Sequence, residues 1–235
     1  MDRRFLLLIA LALTGTPALA AERIATITSY DRIRVDGPYR VEIITGRGAS
    51  AKIVGDRAAI DRVELAVQGT TLTIRANSSA WQGGWPGENA GGPVVIRLTA
   101  GELRTASIAG SGSIAIDALR GPRIMLIVEG SGRIGVGAVE ADRLEVVLTG
   151  SGAMTLAGQA KAMSAAVRGA SSLDAAGLVA GDLVLVSESA GTVALAARTS
   201  AKVTATGSGD VAIGGAPACT VTARGSGAVR CGAGR

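Results

Sequence analysis

Few side chains in this chain could do chemistry, and their types exclude the commonest catalytic constellations. The chain has no histidine, so neither a Ser-His-Asp nor a Cys-His arrangement nor a histidine metal site can be assembled. Grouped carboxylates are what a polysaccharide lyase or hydrolase would need. Glu129 and Glu145 precede recurrent glycine corners on adjacent repeats, but their columns continue as Thr149, Arg168 and Ser164, the mixture of a solvated surface. Trp81 and Trp85 are the only tryptophans and lie in a glycine-rich loop. Their indole faces are candidate sugar-stacking contacts, and their competing role is to plug an apolar stripe or an open end of the fold. Cys219 and Cys231 are the only cysteines; in an exported chain such a pair is a candidate disulfide, the alternative being two small buried thiols. No catalytic, cofactor-binding or metal-ligating residue is assigned.

The elements that must position these residues follow from one recurring corner. Gly110-Ser111-Gly112, Gly130-Ser131-Gly132 and Gly150-Ser151-Gly152 are followed by the altered copies Gly169-Ala170-Ser171 and Ser189-Ala190-Gly191, then by Gly207-Ser208-Gly209 and Gly225-Ser226-Gly227. The seven corners are separated by 20, 20, 19, 20, 18 and 18 residues, a fixed period that marks stacked repeats. Two positions before each corner stand Ile108, Val128, Leu148, Val167, Ser187, Ala205 and Ala223; four before, Ala106, Leu126, Val146, Ala165, Leu185, Val203 and Val221. Four after stand Ile114, Ile134, Met154, Leu173, Val193, Val211 and Val229; six after, Ile116, Val136, Leu156, Ala175, Leu195, Ile213 and Cys231. Apolar residues at alternate positions on both sides of a break predict two half-buried strands per unit. The glycines supply positive φ or close backbone approach. None of the corners has dinucleotide or phosphate-loop spacing, and none opens a helix.

The first 20 residues read as an export signal: basic Arg3-Arg4, an apolar run from Phe5 to Leu13, and Ala18-Leu19-Ala20 as the cleavage site. The run is too short for a membrane span, and no later stretch reads as one. Residues 21–101 are expected to form a region of N-terminal strands with the tryptophan loop, and residues 102–235 the repeat. The net charge is +5 and aromatics are 2%, which suits narrow coils packed with small aliphatic side chains. The basic residues are scattered singly, so nucleic acid is not an expected partner.

Short alternating strands fill the N-terminal region, at Ile24–Ile27, Ile33–Val35, Val41–Ile43, Lys52–Val54, Val63–Val67 and Thr71–Ile74, with at most one helical turn between Asp56 and Asp61. The succession Ile33-Arg34-Val35, Val41-Glu42-Ile43, a strand ending in Gly55-Asp56, then Thr71-Leu72-Thr73-Ile74 resembles the exported bacterial DUF2807 family, the autotransporter-adhesin head or GIN domains. So do Val94 to Leu98 and the serial Gly-Ser-Gly corners after them. The resemblance spans nearly the whole chain after the signal. It implies a β-helix of pectin-lyase-like shape without an established catalytic site. The altered corners at Gly169 and Ser189 depart from the pattern and are expected to loosen two coils.

On periodicity alone, the columns fit a right-handed parallel β-helix of about seven short coils or an antiparallel meander with a Gly-Ser-Gly in each hairpin; the resemblance favours the helix, with the N-terminal strands as a layer or cap. After the corners the outward positions are polar or small. Before them stand Met125, Ile127, Val147, Ala166, Val184 and Val186, an apolar stripe that needs a cover. The expected cover is the N-terminal strands; a homotypic or partner interface is the alternative. The functional expectation is an exported, non-enzymatic β-helix for adhesion or envelope interaction, periplasmic, outer-envelope-associated or secreted. Its expected partners are an envelope polysaccharide, a protein or itself, with no cofactor. Glycan binding through Trp81 and Trp85 and a carbohydrate-active β-helix enzyme are the other readings.

Overall fold

The protein is described from a computed structural model that places residues 21–77 and 94–232; the expected export signal, Trp81 and Trp85 lie outside the described residues. Each repeat is one nearly continuous run of extended chain, because the segment between one corner's strand and the next is also strand. The runs are β9 (Ser113–Gly130), β10 (Arg133–Gly150), β11 (Ala153–Gly169), β12 (Ser172–Ser189) and β13 (Val193–Ala205). Shorter β14 (Val211–Gly215), β15 (Ala218–Ala223) and β16 (Val229–Cys231) complete the stack. Every pairing among them is parallel, which rules out the meander. The result is a β-solenoid of about six turns.

Residue register follows the sequence columns. Val128 pairs with Leu148, Leu148 with Val167 and Val167 with Ser187, while Ile134 pairs with Met154 and Met154 with Leu173. These inward columns are buried, as are Ile124, Leu144, Met163 and Leu183, four positions before Val128, Leu148, Val167 and Ser187. The third side of the coil is anchored by Leu119, Val139 and Leu178, inward residues that a reading of this segment as loop overlooks. Ser187 stands in an otherwise aliphatic column and is buried with it.

The corners carry the rungs without interruption. Ser131 N–H donates to Gly110 O at 3.0 Å, Ser151 N–H to Gly130 O at 2.8 Å and Ala170 N–H to Gly150 O at 2.7 Å. Gly110, Gly130, Gly150 and Gly169 have positive φ. The later corner glycines, Gly207, Gly209, Gly225 and Gly227, do not; their side-chain position is occupied by backbone of the rung below, so that a Cβ on Gly209 would overlap the carbonyl oxygen of Gly191. The altered corners do not break the stack. Ser189 Oγ donates to Ser171 O at 2.7 Å and accepts from Gly191 N–H at 3.0 Å, so a hydroxyl supplies there what backbone geometry supplies elsewhere. The shorter period is absorbed on the third side, where the β12–β13 register slips between Ala175 and Val179 and again between Ala180 and Asp182.

The N-terminal strands do not lie over the repeats as a second layer. β2 (Arg32–Asp36) pairs in parallel with β8 (Thr105–Gly110), and β3 (Arg40–Thr45) with β9. They therefore continue the same sheet at its edge and act as a cap. Ile33, Val35, Val41 and Ile43 extend the inward columns at the same offsets from Gly37 as the repeats show from their corners. Gly37-Pro38-Tyr39 is thus a further corner, with Gly37 at φ 125°, and those offsets could have exposed it in the sequence. Beyond that rung lie β6 (Thr71–Ala76), parallel to β2, and β7 (Val95–Ala100), parallel to β3. The rung formed first in the chain is thereby held between two formed later. The end is finished by antiparallel partners: β5 (Val63–Gln68) on β6, β4 (Ser50–Gly55) on β7 and β1 (Ala21–Ala25) on β4. The single turn α1 (Arg57–Asp61) is capped by the Asp56 side chain, which accepts from Ala58 N–H, and buries Ala59 and Ile60.

Candidate functional site

A trough runs along the third side of the coils, across several rungs. Its lining includes the small residues Gly121, Ala141, Ala160 and Gly181, with Arg120, Glu140 and Gln159 on one flank. Asp142, Lys161, Asp182, Arg198 and Thr199 line the rest, and the volume is about 740 Å³. Gly121, Ala141 and Ala160 stand in register beside long polar side chains, and Gly181 lies level with Lys161; small residues next to long ones make the groove. Arg120, Glu140, Gln159 and Val179 occupy one column, so the repeat period itself delivers one side chain per rung, about 4.8 Å apart. Arg198 and Thr199 reach the trough because β13 has two residues there where β12 has one, between the Ala180–Ala197 and Asp182–Ser200 pairs. Bulges commonly re-aim side chains in this way.

The electrostatics are those of a balanced polar surface. Arg120 Nε lies 3.4 Å from Glu140 Oε2, and Lys161 Nζ lies 2.7 Å from Asp142 Oδ1. The Asp142 carboxylate raises the pKa of Lys161, through a hydrogen bond first and charge second. Ser200 Oγ donates to Asp182 Oδ1 at 2.6 Å. Each of these three carboxylates thus faces a cation or a hydroxyl, which favours holding a polar ligand over sharing a proton between two acids. Among the described residues no group of three or more His, Cys, Asp or Glu could hold a metal ion.

The residues singled out from the sequence fall elsewhere. Glu129 and Glu145 lie on the side before the corners, in register with Thr149 and with Met125 and Ser164 respectively, and form no carboxylate pair. Cys219 and Cys231 are joined in a disulfide with Cα atoms 6.3 Å apart. Both belong to the terminal rung, where β15 is exposed along its whole length: Cys219 occupies an inward column without a following coil to cover it. The trough was hidden in the sequence because its segment reads as loop, although opposite charges one repeat apart, as at Arg120 and Glu140, were a usable signal.

The matching family model covers residues 29–217 and is described as "Putative auto-transporter adhesin, head GIN domain", DUF2807. The chain belongs to this family. Similar solved structures share its fold. A Bacteroides fragilis protein described as a "putative adhesin" superposes with a TM-score of 0.80 at 18% identity, over 91% of this chain and 97% of that one. A "putative adhesin" from Parabacteroides merdae gives 0.69 at 16% identity, over 92% and 97%. A "putative lipid binding protein" from Parabacteroides distasonis gives 0.68 at 21% identity, over 92% and 98%. No curated protein matches. The family assignment suggests an exported protein, and among the described residues no helix is long and apolar enough to cross a membrane.

Proposed function

We propose that this family member is an exported, non-enzymatic module of the cell envelope that holds an extended polar ligand, such as a polysaccharide, in the trough along its third side. The observation that carries this reading is the trough itself: about 740 Å³, within the usual range of ligand sites, and lined rung after rung by hydrogen-bonding side chains. A polymer lying along the stack meets Arg120, Glu140 and Gln159 on successive coils and Arg198 beyond them. Its hydroxyls or acidic groups find both donors and acceptors. A lipid interior is a poorer fit, since Ile124, Leu126, Leu144 and Leu148 fill the space between the sides at 0% exposure. Trp81 and Trp85 remain candidate sugar contacts of the same module. The test is a glycan array on the exported chain, followed by titration of any hit against Arg198→Ala and Lys161→Ala. Roughly tenfold weaker binding is expected for each, about 1.4 kcal/mol. Unchanged binding by both variants would remove the trough from the proposal.

A further inference from the structure

The apolar stripe before the corners has no described strand or helix stacked upon it. Met125, Ile127, Val147, Ala166 and Val186 are each partly exposed and Val184 is 46% exposed. Ile127, Val147, Ala166 and Val186 stand in one column, and Met125, Glu145, Ser164 and Val184 in the next. On one flank run Arg123, Arg143, Ala162 and Asp182; on the other run Glu129, Thr149, Arg168 and Glu188. An aliphatic centre with a charged rim is the anatomy of a protein interface.

We propose that this side is the contact by which two copies of the chain associate face to face, about a two-fold axis parallel to the stack. Charge decides the occupant. Within the region the bases Arg123, Arg143, Arg168 and Lys202 are balanced by the acids Glu129, Glu145, Asp182 and Glu188, whereas the whole chain carries +5. A side that is neutral within a basic protein does not select an anionic lipid surface or a polyanion. A second copy offers the same neutral side with the same aliphatic centre. The two-fold brings each flank onto the opposite flank of the second copy at the same rung, so Arg123 meets Glu129 in both directions. Asp182 of one copy faces Glu188 of the other at the same rung, a like-charge contact offset by Arg168 one rung away, whose Nε lies 3.3 Å from Glu188 Oε2 within a copy. At the centre Met125 packs on Ile127 and Val184 on Val186. The side spans seven residues across and five rungs, about 20 Å by 24 Å from strand and rung spacings. Counting both copies, that is about 1,000 Å², the lower bound for a specific interface. Two charges stand in the central columns, Glu145 and, at the fifth rung, Lys202; Glu145, which meets Val147 of the second copy, opposes tight association.

The proposal concerns another side of the coil from the trough; the two meet at Asp182, and none of the positions varied below lines the trough. Sedimentation velocity of the exported chain over a range of concentrations reads it directly. The expected result is a reversible dimer. Val147→Asp and, at the more exposed position, Val184→Glu give monomers with unchanged circular dichroism. Arg123→Glu weakens association at least tenfold, Arg123→Glu with Glu129→Arg restores it, and Glu145→Gln tightens it. A chain that stays monomeric at every concentration overturns the proposal. So does a dimer indifferent to Val184→Glu and Arg123→Glu.

Discussion

Replacing Gly130 by valine tests why the corner is built as it is. Gly130 has φ 103°, and a Cβ there would stand 2.9 Å from Gly110 O and 3.2 Å from Gly110 N. That same oxygen accepts the Ser131 N–H at 3.0 Å, so the added carbon and the rung hydrogen bond compete for one place. A β-branched residue held in this region costs about 1–3 kcal/mol in backbone strain, and a weakened rung hydrogen bond adds about 1 kcal/mol. Gly130→Val should therefore destabilise by about 2–4 kcal/mol. In a domain of this size that lowers Tm by roughly 4–16 °C. Two controls separate strain from side-chain size. Gly135 has no atom within 4 Å of its would-be Cβ and no positive φ, so Gly135→Val should shift the urea midpoint little. Ser131 is exposed, and Ser131→Ala should stay within about 0.5 kcal/mol. Equal midpoints for Gly130→Val and Gly135→Val would refute the argument from close rung approach.

Three further outcomes follow from the same geometry. Tyr30 and Tyr39, the only tyrosines, are buried at 4% and 3% exposure, and desolvation raises both phenol pKa values. Because the unfolded chain releases these protons first, stability is full below about pH 10 and falls as pH rises above it; tyrosinate absorbance should appear only together with loss of the β-sheet signal. Reducing the disulfide, whose cysteines are 12 residues apart, removes a constraint worth about 3 kcal/mol at most. It should speed hydrogen exchange in residues 218–231 while leaving β9 to β12 protected; a collapse of protection throughout the stack would contradict this. Ser189→Ala removes a hydroxyl that both donates and accepts in a buried corner and should cost about 1–3 kcal/mol in urea unfolding, more than Ser131→Ala.

The inward columns on both sides of the corners were legible because burial on one side of a strand forces a period of two, and each coil repeats that constraint in the same place. Ile108, Val128, Leu148 and Val167 could be aligned by counting alone. The third side was not legible. Its inward anchors, Leu119, Val139 and Leu178, stand among glycines, alanines and charges without a sustained alternation, and that is where the trough lies. The expected cover of the apolar stripe failed for another reason. Alternation tells which residues leave the core but not what meets them, and the N-terminal strands satisfy their own backbone groups at the sheet edge. The order of rungs was equally hidden. Nothing local in Ile33-Arg34-Val35 says that its neighbours will be Thr71–Ala76 on one side and Thr105–Gly110 on the other.

That order of rungs bears on how such a stack ends. Parallel rungs with unpaired edges would go on adding strands, so a finite solenoid needs both ends closed. At the N-terminal end, β1, β4 and β5 run antiparallel to their neighbours and break the pattern another parallel coil would have to join. Arg23 donates to Val63 O at 2.7 Å, tying β1 to the strand that finishes the adjacent side, and α1 packs against β1, β4 and β5. At the other end the disulfide spans the terminal rung, and Arg224 and Arg230 place like charges on the last exposed turn, among the described residues. The broadest surfaces run along the stack. There the repeat supplies one side chain per rung. The trough and the apolar stripe are both of this kind, on the sides of the solenoid and not at its tips.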